Sequence, residues 1–108
     1  MSENQNNIEN KALDIAKTII EQIRYADRSA LMAWGATEFI ALPESMEYQG
    51  GLQFKVNGLA FKGNVKVELR WVDDYRISFV NEHKEEVHAV EIAFCDMLVN
   101  VIDWIEGK

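Results

Sequence analysis

A chain of 108 residues, 48% hydrophobic and 10% aromatic, has apolar side chain enough for one core and too little length for a second domain. Eighteen acidic against eleven basic residues give a formal charge of −7, which repels a phosphate backbone unless a local basic patch overrides the net field, so nucleic acid is not an expected partner. A lone cysteine, Cys95, forbids an intramolecular disulfide; the first residues lack the build of a signal peptide, and no apolar run approaches the ~20 residues that span a bilayer, so a reducing cytoplasm and no membrane contact are expected.

Residues 1–7 are polar with nothing to bury and are expected to be disordered, leaving 8–108 as a single α+β domain. From Ile8 the apolar positions Ile8, Ala12, Ile15, Ala16, Ile19 and Ile23 fall on one stripe of an amphipathic helix that Asn7 can cap and that ends near Ala26. Asp27 can open a second, short helix over Arg28 to Gly35, presenting Leu31 and Trp34, with Gly35 as its stop. Thr37 to Leu42 is apolar without a clear period and fits either a helical turn or a short strand. Pro43 then breaks the chain, because Leu42 is steered out of the α region and Pro43 has no N–H to donate.

Leu52 to Val80 carries the period-two signature of an antiparallel meander. Leu52, Phe54, Val56, Leu59, Phe61, Val65, Val67, Leu69, Trp71, Tyr75, Ile77 and Phe79 make one apolar face; Gln53, Lys55, Lys62, Lys66, Glu68, Arg70, Arg76 and Ser78 make the other. Asn57-Gly58 favours a two-residue type I′ turn, which pairs Val56 with Leu59 and Phe54 with Phe61. A three-residue loop over Val72, Asp73 and Asp74 pairs Trp71 with Tyr75 and keeps the apolar sets together, and Gly63 reads as a bulge or bend. Val87, Ala89 and Glu91 are compatible with a short fourth strand. A last helix begins near Ile92, with Ile92, Cys95, Leu98, Val99, Ile102 and Ile105 on its apolar face and Gly107 at its end. The expected fold is therefore α+β: N-terminal helices, a three- to four-stranded antiparallel meander, and a C-terminal helix packed on one sheet face.

No catalytic, cofactor or metal site is expected. His83, His88, Cys95 and Asp96 are near in sequence but lack the short paired spacings of structural zinc. Cys95, on the apolar stripe, reads as a buried and inert thiol, and Ser29, Ser45 and Ser78 have no nucleophile-elbow context. Trp71 reads as core, whereas Trp34 and Trp104 read as edge-of-core residues that could anchor a partner or a dimer. Together with Lys55, Lys66 and Arg70 of the polar face they form the candidate interaction surface.

Ala33-Trp34-Gly35-Ala36, Phe39, Ala41-Leu42, Gly51 to Gly58, Phe61-Lys62-Gly63, Asp74-Tyr75, Leu98-Val99 and Ile102-Asp103 resemble a group of small uncharacterised proteins of about this size encoded in phages and other mobile elements of bacteria. The resemblance covers roughly residues 30–104 and rests on structural motifs; it implies a bacterial cytoplasm and a mobile-element setting, and no activity. The expected function is non-enzymatic contact with a protein partner or with a second copy in a homodimer. Two alternatives stand beside it: an acidic, nucleic-acid-mimicking inhibitor of a host defence or nucleic-acid-processing system, and a small-molecule-binding or enzymatic domain with a pocket between sheet and helices.

Overall fold

Five antiparallel strands follow one another across a single sheet in chain order, more than the three or four that alternation predicts. The structure is a computed structural model that describes the backbone of residues 3–107 and the side chains of residues 11–107. Helix α1 spans Glu3–Ala26, so Asn7 lies inside it rather than capping it, and Met1 and Ser2 lie outside the described residues. Ala16, Ile19 and Ile23 on its predicted stripe are buried. Asp27 accepts a hydrogen bond from the Ser29 amide, and the short α2, Ala30–Ala33, stops at Gly35, whose φ of +63° lies in the left-handed region that glycine adopts without penalty.

The ambiguous segment is a strand, β1, Thr37–Leu42, which pairs with β2, Tyr48–Asn57, through Ile40 and Gln53, Ala41 and Leu52, and Leu42 and Gly51. The extended backbone that Pro43 imposes on Leu42 agrees with this. Strand β3 is Lys62–Arg70, β4 is Tyr75–Val80, and β5 is Glu86–Ala93.

Both predicted turns are corrected. Strands β2 and β3 pair Asn57 with Lys62, Val56 with Gly63 and Phe54 with Val65, so a four-residue loop over Gly58 to Phe61 replaces the type I′ turn, and Leu59 is 92% exposed. The cause is tertiary. The Ile105 carbonyl accepts from both the Ala60 and Phe61 amides, the Leu59 amide donates to Glu106 Oε1 at 2.7 Å, and a Cβ on Gly58 would stand 2.5 Å from the Ile105 oxygen. In the second hairpin Leu69 faces Tyr75 and Val67 faces Ile77, two residues from the predicted register but with the same face inward. The three-residue loop is Trp71, Val72 and Asp73, closed by the Arg70 amide donating to the Asp74 carbonyl, with Asp73 at φ +70°, a conformation Asp tolerates better than most residues. Trp71 is consequently a half-exposed turn residue and not core. Gly63 sits in an unbroken ladder, and the irregularity of β2 falls instead between Tyr48 and Gly50.

Strand β5 runs to Ala93, so the last helical segment starts later than Ile92 and is less regular than predicted: a 3-10 turn at Cys95–Met97, α3 at Leu98–Ile102, and a second 3-10 turn at Asp103–Glu106. Ile92 and Cys95 are exposed, contrary to their expected places in the apolar stripe, whereas Leu98, Ile102 and Ile105 are buried. The segment contacts α1. Its Trp104 ring lies 4.7 Å from Phe79 and 5.5 Å from Phe61, and Trp34 stacks on Phe54 at 6.4 Å. The space between helices and sheet is thus filled by Ile19, Ile23, Trp34, Phe54, Phe79, Leu98 and Ile102, each almost without exposure. Among the described residues no helix is long and apolar enough to cross a membrane.

Candidate functional site

Strand alternation sends every second side chain to the face away from that core, and among the described residues no helix lies over it. Ladder pairing arranges this face in rows across the strands. One row runs Ile40, Gln53, Lys66, Ser78, Ala89; a second runs Leu42, Gly51, Glu68, Arg76; a third runs Thr37, Lys55, Asn64, Val80, Glu86.

Arg76 dominates its electrostatics. Its Nε and Nη2 donate to Glu91 at 2.9 and 3.0 Å, and its Nη1 and Nη2 donate to Glu86 at 2.8 Å each, which engages four of its five N–H groups. Glu86 pairs across from Val80, two residues beyond Ser78, so the arginine side chain runs over Ser78 and accounts for that serine being buried on an otherwise open face. The bidentate bonds from Arg76 hold both carboxyls below their usual range, and the two glutamates raise the Arg76 guanidinium above its own. Glu68, beside Arg76, is pushed up by burial, against the opposing pull of Lys66 and Arg76.

The face is therefore less basic than its sequence suggests, because Lys55, Lys66, Arg70 and Arg76 each have a carboxylate close by. Lys55 Nζ lies 3.8 Å from Glu38, and Arg70 Nε donates to Asp74 at 2.6 Å. Lys66 acts on both Glu68 and Glu86. Where the β1–β2 and β3–β4 connections meet, a cleft of about 550 Å³ is lined by Glu47, Tyr48, Arg70, Trp71, Val72, Arg76 and Glu91.

Of the residues singled out from sequence, Lys55, Lys66 and Arg70 share this open face. Trp34 does not reach any surface: it is 1% exposed, and its indole Nε1 donates to Asp103 Oδ1 at 2.8 Å, which corrects its assignment to an interaction patch. Trp104 is on the opposite, helix-covered side, stacked on His88 at 4.3 Å. His83 lies in the β4–β5 turn, its amide bonded to Asn81, and Cys95 lies against α1 in an open groove of about 1120 Å³ with Gln22, Tyr25 and Asp96. Among the described residues no three His, Cys, Asp or Glu side chains are grouped to hold a metal ion. Ser45 Oγ accepts from the Tyr48 amide. Besides Glu68, Glu86 and Glu91 on the open face, carboxylates sit on α1 at Asp14 and Glu21, at one end of the sheet at Glu44 and Asp73, at the other at Glu82 and Glu85, and in the last segment at Asp103, so among the described residues they are spread over several surfaces.

Sequence reasoning missed Tyr48 and Trp71 as neighbours, because their meeting depends on two loops whose contact alternation does not encode. It did place Glu68 and Arg76 on one polar face. Comparison with known proteins adds no likeness: no family model matches the chain, and no curated protein or solved structure is significantly similar to it.

Proposed function

We propose that this chain is a small non-enzymatic protein of phage or mobile-element type that works by protein–protein contact in a bacterial cytoplasm, with the uncovered sheet face as its contact surface. A second copy of the chain is among the partners that the face accepts. In this reading the C-terminal segment completes, with α1, the layer over the apolar face, and leaves the polar face free.

The observation that carries the reading is that face itself. It sets the small residues Gly51, Ser78 and Ala89 among Lys66, Glu68 and Arg76, and at its β1 edge Ile40 is about half exposed, at 51%. Arg76, Glu86 and Glu91 already bond one another, so a partner meets few unpaired polar groups there and one net negative charge.

The test is a photo-crosslinking amino acid placed at Gln53, in the middle of the face, and at Glu21, on the helical side, in bacterial cells expressing the protein. A discrete protein adduct from position 53 that position 21 does not give is expected. Equal adducts from both positions, or none from position 53, overturn the reading. Light scattering over a concentration series settles self-contact: a mass of two chains that persists on dilution is expected for the homodimer, and a constant single-chain mass removes that part.

A further inference from the structure

The cleft between the β1–β2 connection and the β3–β4 turn combines two aromatic side chains, Tyr48 and Trp71, with Glu47, Glu91, Arg70 and Arg76, and further carboxylates stand around these. Arg76 has four N–H groups committed to Glu86 and Glu91, and Arg70 is committed to Asp74 through Nε and Nη2. Against these two cations stand Asp74, Glu86 and Glu91 as their partners, and then Glu47, which lines the cleft, and Glu68, which pairs with Arg76 in the ladder. Neither Glu47 nor Glu68 has a hydrogen-bonded or ion-paired partner among the described residues. These five carboxylates exceed the two arginines by three charges, one of which Lys66 offsets beside Glu68 and Glu86, and the whole chain carries −7.

Trp71 is fixed in place by its Nε1, which donates to the Ser45 carbonyl at 3.2 Å. Its ring already takes a cation: Lys11 Nζ lies 5.3 Å from the indole centroid while paired with Glu44 at 3.3 Å. Trp71 nevertheless stays 47% exposed, so indole surface remains open to the cleft that it lines. A planar, donor-rich cation matches such a site better than a compact ammonium, since a guanidinium stacks on an aromatic face while its N–H fork reaches carboxylates at the rim.

We infer that this cleft receives an arginine side chain presented by the protein partner of the open face. The inference rests on the contact reading above and names the chemistry of that contact. A volume of about 550 Å³ accommodates the guanidinium, its aliphatic stem and the adjoining main chain of one residue.

The test uses the full chain and three acetylated, amidated pentapeptides, Gly-Gly-X-Gly-Gly with X as arginine, norleucine or glutamate. The Trp71 indole N–H and Tyr48 amide are followed by two-dimensional nitrogen–proton NMR. The expected result is a saturable shift of both signals with the arginine peptide only, weakened at least about threefold by Glu47→Gln, an exposed position whose change leaves the fold intact. Trp71→Leu, read at Tyr48, is expected to weaken it about tenfold. Shifts of equal size with norleucine or glutamate, no saturable shift with arginine, or binding unchanged in both variants overturns the inference. Crosslinking from position 53 together with a silent cleft sinks this inference and leaves the contact reading standing; silence in both experiments removes both.

Discussion

Gly58→Ala tests whether the first hairpin is set by its own turn or by the C-terminal segment. Gly58 has no left-handed φ, so an Ala there meets no backbone conformational penalty; what it meets is Ile105, with a Cβ 2.5 Å from the carbonyl oxygen and 2.7 Å from Cγ1. Backbone cannot yield as a flexible side-chain tip does, and the Asp103–Glu106 turn has to move off the loop. That movement breaks the two bonds from the Ala60 and Phe61 amides to the Ile105 carbonyl, at 2.8 and 3.1 Å. At about 0.5–1.5 kcal/mol net for each bond, plus loosened packing of the buried Ile105, the loss is about 2–4 kcal/mol. That is a large share of the ~5–15 kcal/mol that holds a domain of this size together.

Urea unfolding of wild type and variant measures the difference, and hydrogen exchange at the Ala60 and Phe61 amides locates it. Both amides are expected to lose protection in the variant ahead of the ladder amides of β3. Gly107→Ala is the control, because its φ of +87° makes the substitution strained while its Cβ would meet only Ala60 at 3.7 Å; a cost of about 1 kcal/mol is expected. A Gly58→Ala loss below about 0.5 kcal/mol, with Ala60 and Phe61 still protected, would refute the claim that the C-terminal segment sets the loop.

Trp34→Phe removes the indole donor to Asp103 and part of a fully buried ring, and is expected to lower unfolding free energy by about 2–3 kcal/mol in urea titration; a loss under ~1 kcal/mol contradicts the burial and the bond together. Glu68→Gln is expected to stabilise, by no more than ~1 kcal/mol given solvent screening. Burial raises the folded-state pKa of Glu68, so its ionised form carries a penalty above that raised value; the penalty disappears below the ordinary carboxylate range, and the advantage of Gln, read as Tm across pH, should be present at pH ~7 and gone below pH ~4. Arg76→Met has the opposite profile. Glu86 and Glu91 have lowered folded-state pKa values, so their contribution is present above the ordinary glutamate range and is lost as pH falls through the lowered values; the variant's Tm deficit should be largest near neutrality and shrink in acid, and a deficit independent of pH would rule out the ion-pair account.

Alternation made the faces of the meander legible, and it did so even where register was misread. The β3–β4 pairing differs from the expected one by two residues, and a slip of two leaves Val67, Leu69, Tyr75 and Ile77 on the same side. Loop positions were not legible, because they depend on partners remote in sequence: Asn57-Gly58 has the local chemistry of a tight turn, but Ile105 and Glu106 take up the loop amides. Thr37–Leu42 resisted reading because its alternation is broken by the bulge between Thr37 and Ile40, where Glu38 has φ +55°. Trp34 misled for a different reason. Aromatic character says nothing about which side of a short helix faces inward, and the fixing contact is with Asp103, 69 residues away.

The two edges of the sheet bear on how the proposed partner would approach. An edge strand offers unpaired N–H and C=O groups to any extended chain, so β1 and β5 invite further strand pairing. Both are irregular. Strand β5 carries one extra residue against β4 between Val90 and Ala93 and another between Glu86 and His88, and β1 is interrupted beside Glu38. Each bulge twists the edge and leaves only short regular runs, which penalises edge-to-edge pairing with a second sheet. The two carboxylates of β5 that could have guarded its edge are instead drawn back over the face by Arg76, at 2.8 to 3.0 Å. Edge protection thus falls to backbone geometry while the charges are spent on satisfying the face. That division favours an approach from above the sheet, where Glu68, Tyr48 and Trp71 lie, over continuation of the sheet past β5.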